Sequence, residues 1–340
     1  MSEHPLLPQM RSNQIGREAI ERDIRATIRG GALSHGWIIS GPLGSGKATL
    51  AFRIARGLLD SNALSDDDSF EMPETTKVFR QISANAHPDL FVAQRLWDEK
   101  KNKFQTEITV ETIRKLTNFL SMTASQGGAR IAIVDTADDL NRNAANALLK
   151  ALEEPPAGAL LLLLSSSPGR LLPTIRSRCR QLTLPPLSEA ALERFLVTEG
   201  IDAGRAKAVS SHAQGRPGYA LQLATDEGEA AITLAESFLT NAKAGKSLKD
   251  VSASIAGKNG DTLWPIFREI VLGRLSEAAR ASASGIEAPA FNGANSAMLL
   301  DAWQKLGTLI QRAEALNLDR AQLINAMAQD LFESLQTKAA

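Results

Sequence analysis

The sequence predicts an α/β fold built on a parallel sheet, followed by a part of the chain that is helical throughout. Residues 131–134 and 160–164 are two short apolar runs, typical of strands that are covered on both faces of a sheet. Residues 41–49 are rich in glycine and lie between a strand pattern and a helix pattern. From Ser188 onward the chain is rich in alanine, and its apolar residues recur at helical spacing.

The segment between the two apolar runs predicts a crossover helix. Asn141 is suited to cap it, because its side-chain oxygen can accept a hydrogen bond from a free backbone N–H. Pro155 and Pro156 end it, since proline cannot continue the hydrogen-bond ladder. A strand, a helix and a second strand form one right-handed parallel unit. Asp135 then stands at the carboxyl end of the first strand, where such sheets bind ligands.

Composition narrows the function classes. The 340 residues are enough for two or three domains, and 38 basic residues balance 38 acidic ones. With this balance the protein has no net electrostatic field that would attract it to nucleic acid or to an anionic membrane. Any contact with DNA must therefore be made by a local patch of the surface or by partner proteins. Cys179 is the single cysteine, which excludes an internal disulfide framework. Because the N-terminus has no secretory pattern and no apolar run reaches ~18 residues, we expect a soluble cytoplasmic protein.

The glycine-rich stretch is a candidate phosphate-binding loop. A short strand, Trp37–Ser40, precedes it and an amphipathic helix follows it. Glycines allow backbone N–H groups to turn towards phosphate oxygens, and the helix N-terminus adds its positive end. The candidate nucleotide-binding residues of the loop are Gly41, Gly44, Ser45, Gly46, Lys47, Ala48 and Thr49.

One position of the loop departs from the pattern of a working ATPase. The residue after Lys47 should be serine or threonine, whose hydroxyl binds magnesium, and here it is Ala48. Thr49 cannot replace it, since one step along a helix is a rotation of about 100°. The loop therefore has a phosphate cradle without the metal ligand.

Asp135 is a further candidate nucleotide-binding residue. An acid after a buried strand can hold the magnesium shell, and in hydrolysing enzymes of this kind a glutamate follows to activate water. Here the next residue is Thr136, which cannot take up a proton near pH 7. We expect Asp138 and Asp139 to serve the turn and the helix start. Ser165–Ser167 allow two interpretations, contact with a γ-phosphate or ordinary turn chemistry.

The remaining elements are read from periodicity. Helices are predicted over 15–30, 108–120, 188–196, 202–213, 230–243, 261–282, 294–316 and 319–336, and residues 217–221 open a further helix. Residues 86–92 lead into a strand, and another strand is predicted over 181–184. We expect Thr109 to cap the helix over 108–120 and His87 to be a structural hydrogen-bonding group. Residues 60–76 are expected to form an acidic solvated loop, and residues 97–105 an exposed hairpin or loop. The stripes predicted as bundle core or subunit interface are Trp264, Phe267, Ile270, Val271 and Leu299, Trp303, Leu306, Leu309.

Several strings together resemble one family. They are Gly41–Thr49, His87-Pro88-Asp89, Ala137–Asn141, Asn146–Lys150, Leu152–Pro156 and Ser177-Arg178-Cys179. The chain resembles the clamp-loader subunits of bacterial DNA polymerase III, which are AAA+ proteins, and the second and third strings are typical of the delta-prime branch. The resemblance covers about residues 35–185. It implies an AAA+ P-loop domain over 1–186, a helical lid over 187–235 and a helical collar over 236–340.

The resemblance also implies partners and residue roles. It implies a five-subunit hetero-oligomer with gamma/tau and delta subunits, which opens a sliding clamp and places it on primer-template DNA. Arg178 matches an arginine that reaches into a neighbour's ATP site, and Ser166 matches the first sensor position. The second sensor position, an arginine in hydrolysing relatives, falls on Gly218, with Arg216 shifted by two residues. Gamma/tau subunits carry a four-cysteine zinc module, whereas residues 59–90 contain no cysteine, so we expect no zinc.

Two functions therefore compete. In the first, the chain is a subunit that does not hydrolyse ATP and supplies Arg178 to a neighbour, which agrees with Ala48, Thr136 and Gly218 together. In the second, it is an ATPase motor like gamma/tau, working through Lys47 and Asp135. We favour the first, because three departures in one catalytic apparatus are hard to reconcile with a motor. Binding of ATP or ADP to the degenerate loop is left open by the residues.

Overall fold

The structure is a computed structural model that describes residues 7–60, 69–99, 102–125, 128–286, 291 and 293–336. Residues 61–68 of the expected acidic loop and residues 100–101 of the expected hairpin lie outside the described residues. The described chain forms two compact units, one from Met1–Phe195 with Gly215–Tyr219 and one from Leu196–Gln214 with Ala220–Ala340. None of the described helices is long and apolar enough to cross a membrane.

A parallel sheet forms the centre of the first unit, as predicted. The strands are β1 (Gly36–Ser40), β2 (Leu90–Ala93), β3 (Trp97–Asp98), β4 (Lys103–Phe104), β5 (Arg130–Val134), β6 (Ala159–Ser165) and β7 (Arg180–Thr183). Among the described residues, five of them pair in the order β2-β5-β6-β1-β7, all parallel, while β3 and β4 form a separate antiparallel hairpin. Because the strands are parallel, their carboxyl ends lie along one edge of the sheet and their amino ends along the other.

Helices cover both faces of this sheet. The helices up to residue 223 are α1 (Glu18–Arg29), α2 (Lys47–Leu59), α3 (Lys77–Ser83), α4 (Val110–Ser121), α5 (Arg142–Glu153), α6 (Pro173–Arg176), α7 (Glu189–Thr198), α8 (Ala203–Ser210) and α9 (Pro217–Leu223). Those that share a core with the sheet are α1–α3 on one face and α4–α6 on the other, whereas α8 belongs to the second unit. On one face, Trp37 and Ile39 of β1 pack with apolar residues of α2, and on the other face Ile38 packs with α4 and α5. This alternation is the period of two that places successive strand side chains on opposite faces.

The predicted helix caps had different outcomes. Asn141 caps α5, since its Oδ1 accepts a hydrogen bond from the Ala144 N–H at 2.9 Å. Thr109 occupies the N-cap position of α4, as predicted, but its side chain accepts no capping hydrogen bond from the helix. Instead, the Glu111 carboxylate accepts hydrogen bonds from the backbone N–H of Glu111 and from the Thr109 hydroxyl, and these bonds lower the pKa of Glu111.

All the regular elements in the described residues of the second unit are helices. Its longer elements are α10 (Asp226–Lys243), α11 (Lys249–Ala256), α12 (Gly260–Ala283), α13 (Ser296–Leu316) and α14 (Arg320–Gln336). Trp264 and Phe267 are buried in its core, as the first stripe predicts, with ring centroids 6.0 Å apart. In the second stripe Leu299 and Leu306 are buried, whereas Trp303 is 40% exposed and therefore does not belong to the bundle core. Ala302 takes the core position beside it, one helical step of about 100° away.

Candidate functional site

The candidate phosphate loop lies at the carboxyl edge of the sheet. Gly41 follows β1 directly, and α2 begins at Lys47. Gly44 and Gly46 have φ angles of +79° and +91°, in the left-handed region that glycine adopts without steric cost. The strand, loop and helix that the sequence predicts are therefore present, with the N-terminus of α2 at the loop.

The Lys47 ammonium is enclosed by acceptors of its own chain. It donates hydrogen bonds to the carbonyl oxygens of Gly41 and Pro42, at 2.6 and 2.9 Å, and to the Ser166 hydroxyl at 3.1 Å. An ammonium group has three N–H donors, so all three are used. Burial lowers the pKa of Lys47, and the negative charges of Asp135 and Asp138 partly oppose that shift. Lys47 of the candidate loop and Ser166, the residue at the first sensor position, are thus in direct contact.

The position after Lys47 contributes only a methyl group. Ala48 packs at the margin of the apolar core beneath the loop, and Thr49 is buried. Because Thr49 is one residue further along α2, its side chain points about 100° away from that of Ala48 around the helix axis. The structure therefore places a phosphate-type loop beside a position that has no hydroxyl for a metal ion.

The acids after β5 take different partners. Asp135 follows β5, its N–H donates to the Ala93 carbonyl at 2.8 Å, and its Oδ1 accepts a 3.4 Å hydrogen bond from Thr136. Burial raises the pKa of Asp135, although the Thr136 hydrogen bond and Lys47 act in the opposite direction. Asp139 forms an ion pair with Arg95 at 3.1 Å.

Asp138 holds the end of β6, a role that differs from the predicted turn role. It accepts hydrogen bonds from the Ser165 hydroxyl and the Ser166 N–H, both at 2.6 Å. The carboxylate therefore fixes the backbone of the residue that contacts Lys47. Sequence reasoning missed these partners because they join the turn after β5 to the end of β6, 27 residues further along the chain.

The segment Gly215–Tyr219 packs directly on the phosphate loop. The Gly218 N–H donates to the Gly44 carbonyl oxygen at 2.8 Å. A Cβ atom added to Gly218 would lie 3.1 Å from that oxygen, and one added to Gly44 would lie 2.6 Å from the Tyr219 nitrogen. Gly44 therefore requires glycine, whereas a side chain at Gly218 would require the Gly44 backbone to give way by a few tenths of an ångström. Arg216, the shifted arginine, is 5% exposed and lies over the Tyr219 ring at 4.1 Å.

Arg178 lies at the opposite edge of the sheet. An added Cβ at Gly36, the first residue of β1, would lie 3.6 Å from the Arg178 carbonyl oxygen. β1 is about 13 Å long at roughly 3.3 Å per residue, and the phosphate loop follows its other end. The Arg178 guanidinium forms a 2.8 Å ion pair with Glu153 and donates to the Thr174 carbonyl oxygen at 3.0 Å. The structure therefore separates Arg178 from the loop of its own chain.

His87 and Asp89, which also carry the resemblance, form hydrogen bonds that hold neighbouring segments together. Asp89 accepts hydrogen bonds from the Ser125 N–H and hydroxyl, at 2.9 and 2.5 Å, and its N–H donates to His87 Nδ1. Burial alone would raise the pKa of Asp89, but the Ser125 bonds and Arg130 outweigh it and lower that pKa. Burial lowers the pKa of His87. Among the described residues, no cluster of histidine, cysteine and acidic side chains could hold a metal ion.

Comparisons with known proteins agree on one family. A family model described as DNA polymerase III, delta subunit, matches residues 16–188. DNA polymerase III subunit delta′ of Pseudomonas aeruginosa is 40% identical over 161 residues, 47% of this chain and 46% of that protein. The delta′ subunit of Bacillus subtilis is 30% identical, over 53% of this chain and 50% of that protein. The chain thus matches about half the length of these relatives.

More distant likenesses are also present. DNA polymerase III subunit gamma of Buchnera aphidicola is 28% identical over 64% of this chain and 58% of that protein. A gamma subunit-related protein of Thermotoga maritima has a solved structure with a TM-score of 0.40 and 18% identity, covering 94% of this chain and 99% of that one. RuvB of the same organism has a TM-score of 0.42 and 16% identity, covering 83% and 87%.

Proposed function

Because the chain belongs to the delta-prime family of DNA polymerase III subunits, we propose that it is a clamp-loader subunit that does not hydrolyse ATP and supplies Arg178 to a neighbouring subunit. One observation carries the second part of this proposal. Arg178 and the phosphate loop lie at opposite ends of β1, so the arginine can serve a site of this kind only on another chain.

The chain's own loop does not fit magnesium-dependent hydrolysis. Ala48 offers no metal ligand, and Thr136 offers no base beside Asp135. Lys47 already donates to three acceptors, so a phosphate group could reach it only by replacing them. The second sensor position falls on Gly218, where an arginine would also require the Gly44 backbone to give way by a few tenths of an ångström. Backbone N–H groups of the loop could still hold ATP or ADP phosphates, without turnover.

Arg178 is suited to act in trans. A guanidinium is always charged and offers several donors in a fixed fork, which matches the oxygens of a transferring phosphoryl group. Its pair with Glu153 is partly exposed, with 35% and 48% of the two side chains accessible. Such pairs contribute about 0–1 kcal/mol, so exchanging the carboxylate for phosphate oxygens costs little. An arginine finger can raise a hydrolysis rate by ~10³ or more.

The proposed partners follow from the family. They are gamma/tau and delta subunits in a hetero-oligomer and, through that complex, the sliding clamp and primer-template DNA. We also propose that residues 1–186 act as the AAA+ P-loop domain, 187–235 as its lid and 236–340 as the collar that joins the subunits. The protein would act in the cytoplasm, where replication takes place in bacteria.

A gamma/tau-like motor is the second candidate. The contact between Lys47 and Ser166, with Asp135 close enough to influence the lysine, is the observation that favours it. Gamma and tau relatives at 28% identity are consistent with either function.

The ATPase activity of the isolated chain separates the two candidates. We expect negligible turnover, because phosphoryl transfer is catalysed by positioning and electrostatic groups that Ala48 and Thr136 do not provide. A turnover of about 1 s⁻¹ that Lys47→Ala abolishes would establish the motor instead. Native mass spectrometry of the chain mixed with gamma/tau, delta and clamp tests the partners, and we expect one copy of this chain in a defined complex.

A further inference from the structure

A carboxylate of the same chain holds the guanidinium of Arg178. Glu153 is the last residue of α5, and its Oε1 lies 2.8 Å from Arg178 Nη2. From another side, Nη1 donates to the Thr174 carbonyl oxygen at 3.0 Å and to the Ser177 hydroxyl at 3.5 Å. The negative end of the α5 dipole adds to the attraction, because Glu153 lies in the last turn of that helix. The guanidinium is therefore held both by the end of α5 and by the end of α6.

The backbones that carry this pair are packed on one point of β1. Leu152 precedes Glu153, Cys179 follows Arg178, and both of these neighbours are buried. A Cβ added to Gly36, the first residue of β1, would lie 2.9 Å from Leu152 Cδ2 and 3.2 Å from Cys179 Sγ. The two segments therefore meet at the same glycine. This packing holds Glu153 and Arg178 beside each other before any partner subunit binds.

The pair leaves Arg178 with donors for a further acceptor. A guanidinium has five N–H donors, and the contacts with Thr174, Ser177 and Glu153 use at most three of them. Within the described part of the chain no unpaired nitrogen of Arg178 is buried, so the remaining donors are open to solvent. Arg176 differs, because its Nε is buried without a hydrogen-bond partner. Arg178 can thus bind a phosphoryl group of another subunit while it keeps its contact with Glu153.

We propose that Glu153 is a positioning residue for Arg178, which it holds in the orientation that reaches a neighbour's ATP site. This inference rests on the proposed role of Arg178 in trans. A free arginine side chain samples many rotamers, and a group that is ordered only when the subunits dock loses that freedom at the expense of the hydrolysis rate. The carboxylate orders the guanidinium in advance, and Glu153 itself takes no part in the chemistry.

The negative charge of Glu153 has a second, opposing effect on the hydrolysis rate. It repels the phosphoryl oxygens that Arg178 attracts. Both side chains of the pair are partly exposed, however, and water and salt weaken an interaction between separated charges more than a direct contact at 2.8 Å. The ordering of the guanidinium therefore outweighs the repulsion, and loss of the carboxylate should slow hydrolysis in the neighbouring subunit.

ATP hydrolysis by the reconstituted complex tests this role. Complexes with gamma/tau, delta and clamp contain wild-type chain, Glu153→Ala, Arg178→Ala or both substitutions, and native mass spectrometry measures the assembly of each. The rate that depends on the arginine is the difference between the wild-type complex and the Arg178→Ala complex. We expect Glu153→Ala to reduce this difference about fivefold, the equivalent of about 1 kcal/mol for a partly exposed pair. The KM for ATP should stay the same, because the neighbouring subunit binds the nucleotide.

Three comparisons separate positioning from a structural effect. Glu154→Ala removes the adjacent exposed carboxylate and should leave the rate unchanged. Glu153→Gln keeps an acceptor oxygen without the charge and should recover part of the loss. In the Arg178→Ala background, Glu153→Ala should have no further effect, because a residue that acts through the guanidinium has nothing left to act on.

Several results would overturn the positioning role. An unchanged rate with Glu153→Ala would show that the carboxylate does not order the arginine, and a faster rate would show that it competes for the guanidinium. An equal fold loss with and without Arg178, or a loss of assembly, would show a structural effect instead. If Arg178→Ala itself leaves hydrolysis unchanged, the proposed function fails and the role of Glu153 falls with it, whereas a loss with Arg178→Ala but not with Glu153→Ala overturns only the role of Glu153.

Discussion

The buried ion pair between Glu21 and Arg53 gives the sharpest stability prediction. Both side chains are 3% exposed, and the carboxylate accepts two hydrogen bonds from the guanidinium, at 2.6 and 2.8 Å. It also accepts the Phe70 N–H at 3.1 Å and the Ser69 hydroxyl at 3.3 Å. Glu21→Gln keeps the shape but places an amide N–H₂ among donors and leaves Arg53 as an uncompensated buried charge. We expect a loss of about 3–5 kcal/mol in the free energy of unfolding of the first unit.

Urea denaturation and calorimetry of the first-unit transition measure this loss, which should lower its Tm by roughly 10 °C. Glu18→Gln is the matched control, since Glu18 is exposed on the same helix turn and accepts one bond, from the Gly16 N–H at 3.0 Å. It should cost about 1 kcal/mol or less. Replacing both partners, as Glu21→Leu with Arg53→Met, should recover most of the stability because no buried charge is left. A loss below about 1 kcal/mol for Glu21→Gln would refute the reasoning.

Three further predictions concern the site and its surroundings. Ala48→Thr should strengthen magnesium-dependent nucleotide binding, measured by calorimetric titration, without producing turnover, because Thr136 still provides no base; turnover would contradict this. Asp89 has a lowered pKa in the folded state, so it contributes stability above its unfolded pKa of about 3.9 that is lost as the pH falls further. Asp89→Asn should therefore destabilise the protein at pH 7 and reduce the change of its free energy of unfolding with pH on the acid side. An unchanged pH dependence would count against the lowered pKa. Elemental analysis of metal-stripped and reloaded protein should find no zinc, whereas one tightly bound equivalent per chain would contradict the prediction from its single cysteine.

Features that depend on neighbouring residues were predictable from sequence. The strands around 131–134 and 160–164, the glycine loop and the Asn141 cap all follow from local periodicity or local hydrogen bonding, and the structure confirms each of them. Trp303 shows the limit of that approach. It falls on an apolar stripe by spacing, but the core accommodates Ala302 instead, because tertiary packing decides the exact face of a helix.

Contacts between distant segments of the chain were not predictable. Asp138 supports Ser166, Glu153 pairs with Arg178, and Gly218 packs on Gly44, and none of these pairs has a spacing that suggests contact. The separation of Arg178 from the phosphate loop of its own chain could likewise be seen only once the strand order was known. Periodicity predicts which face of an element is buried, but it does not predict the end of the sheet at which a residue lies.

The role of Arg178 is tested most directly by ATP hydrolysis in the reconstituted complex. Complexes containing wild-type chain, Arg178→Ala or Arg180→Ala are assembled with gamma/tau, delta and clamp, and hydrolysis and clamp loading are measured with primer-template DNA. Arg180, which lies over the Trp37 ring at 4.8 Å, is the matched control. We expect Arg178→Ala to assemble normally while hydrolysis and clamp loading fall, and Arg180→Ala to leave both intact. Unchanged hydrolysis with Arg178→Ala, or a loss of assembly in step with activity, would contradict a finger acting in trans.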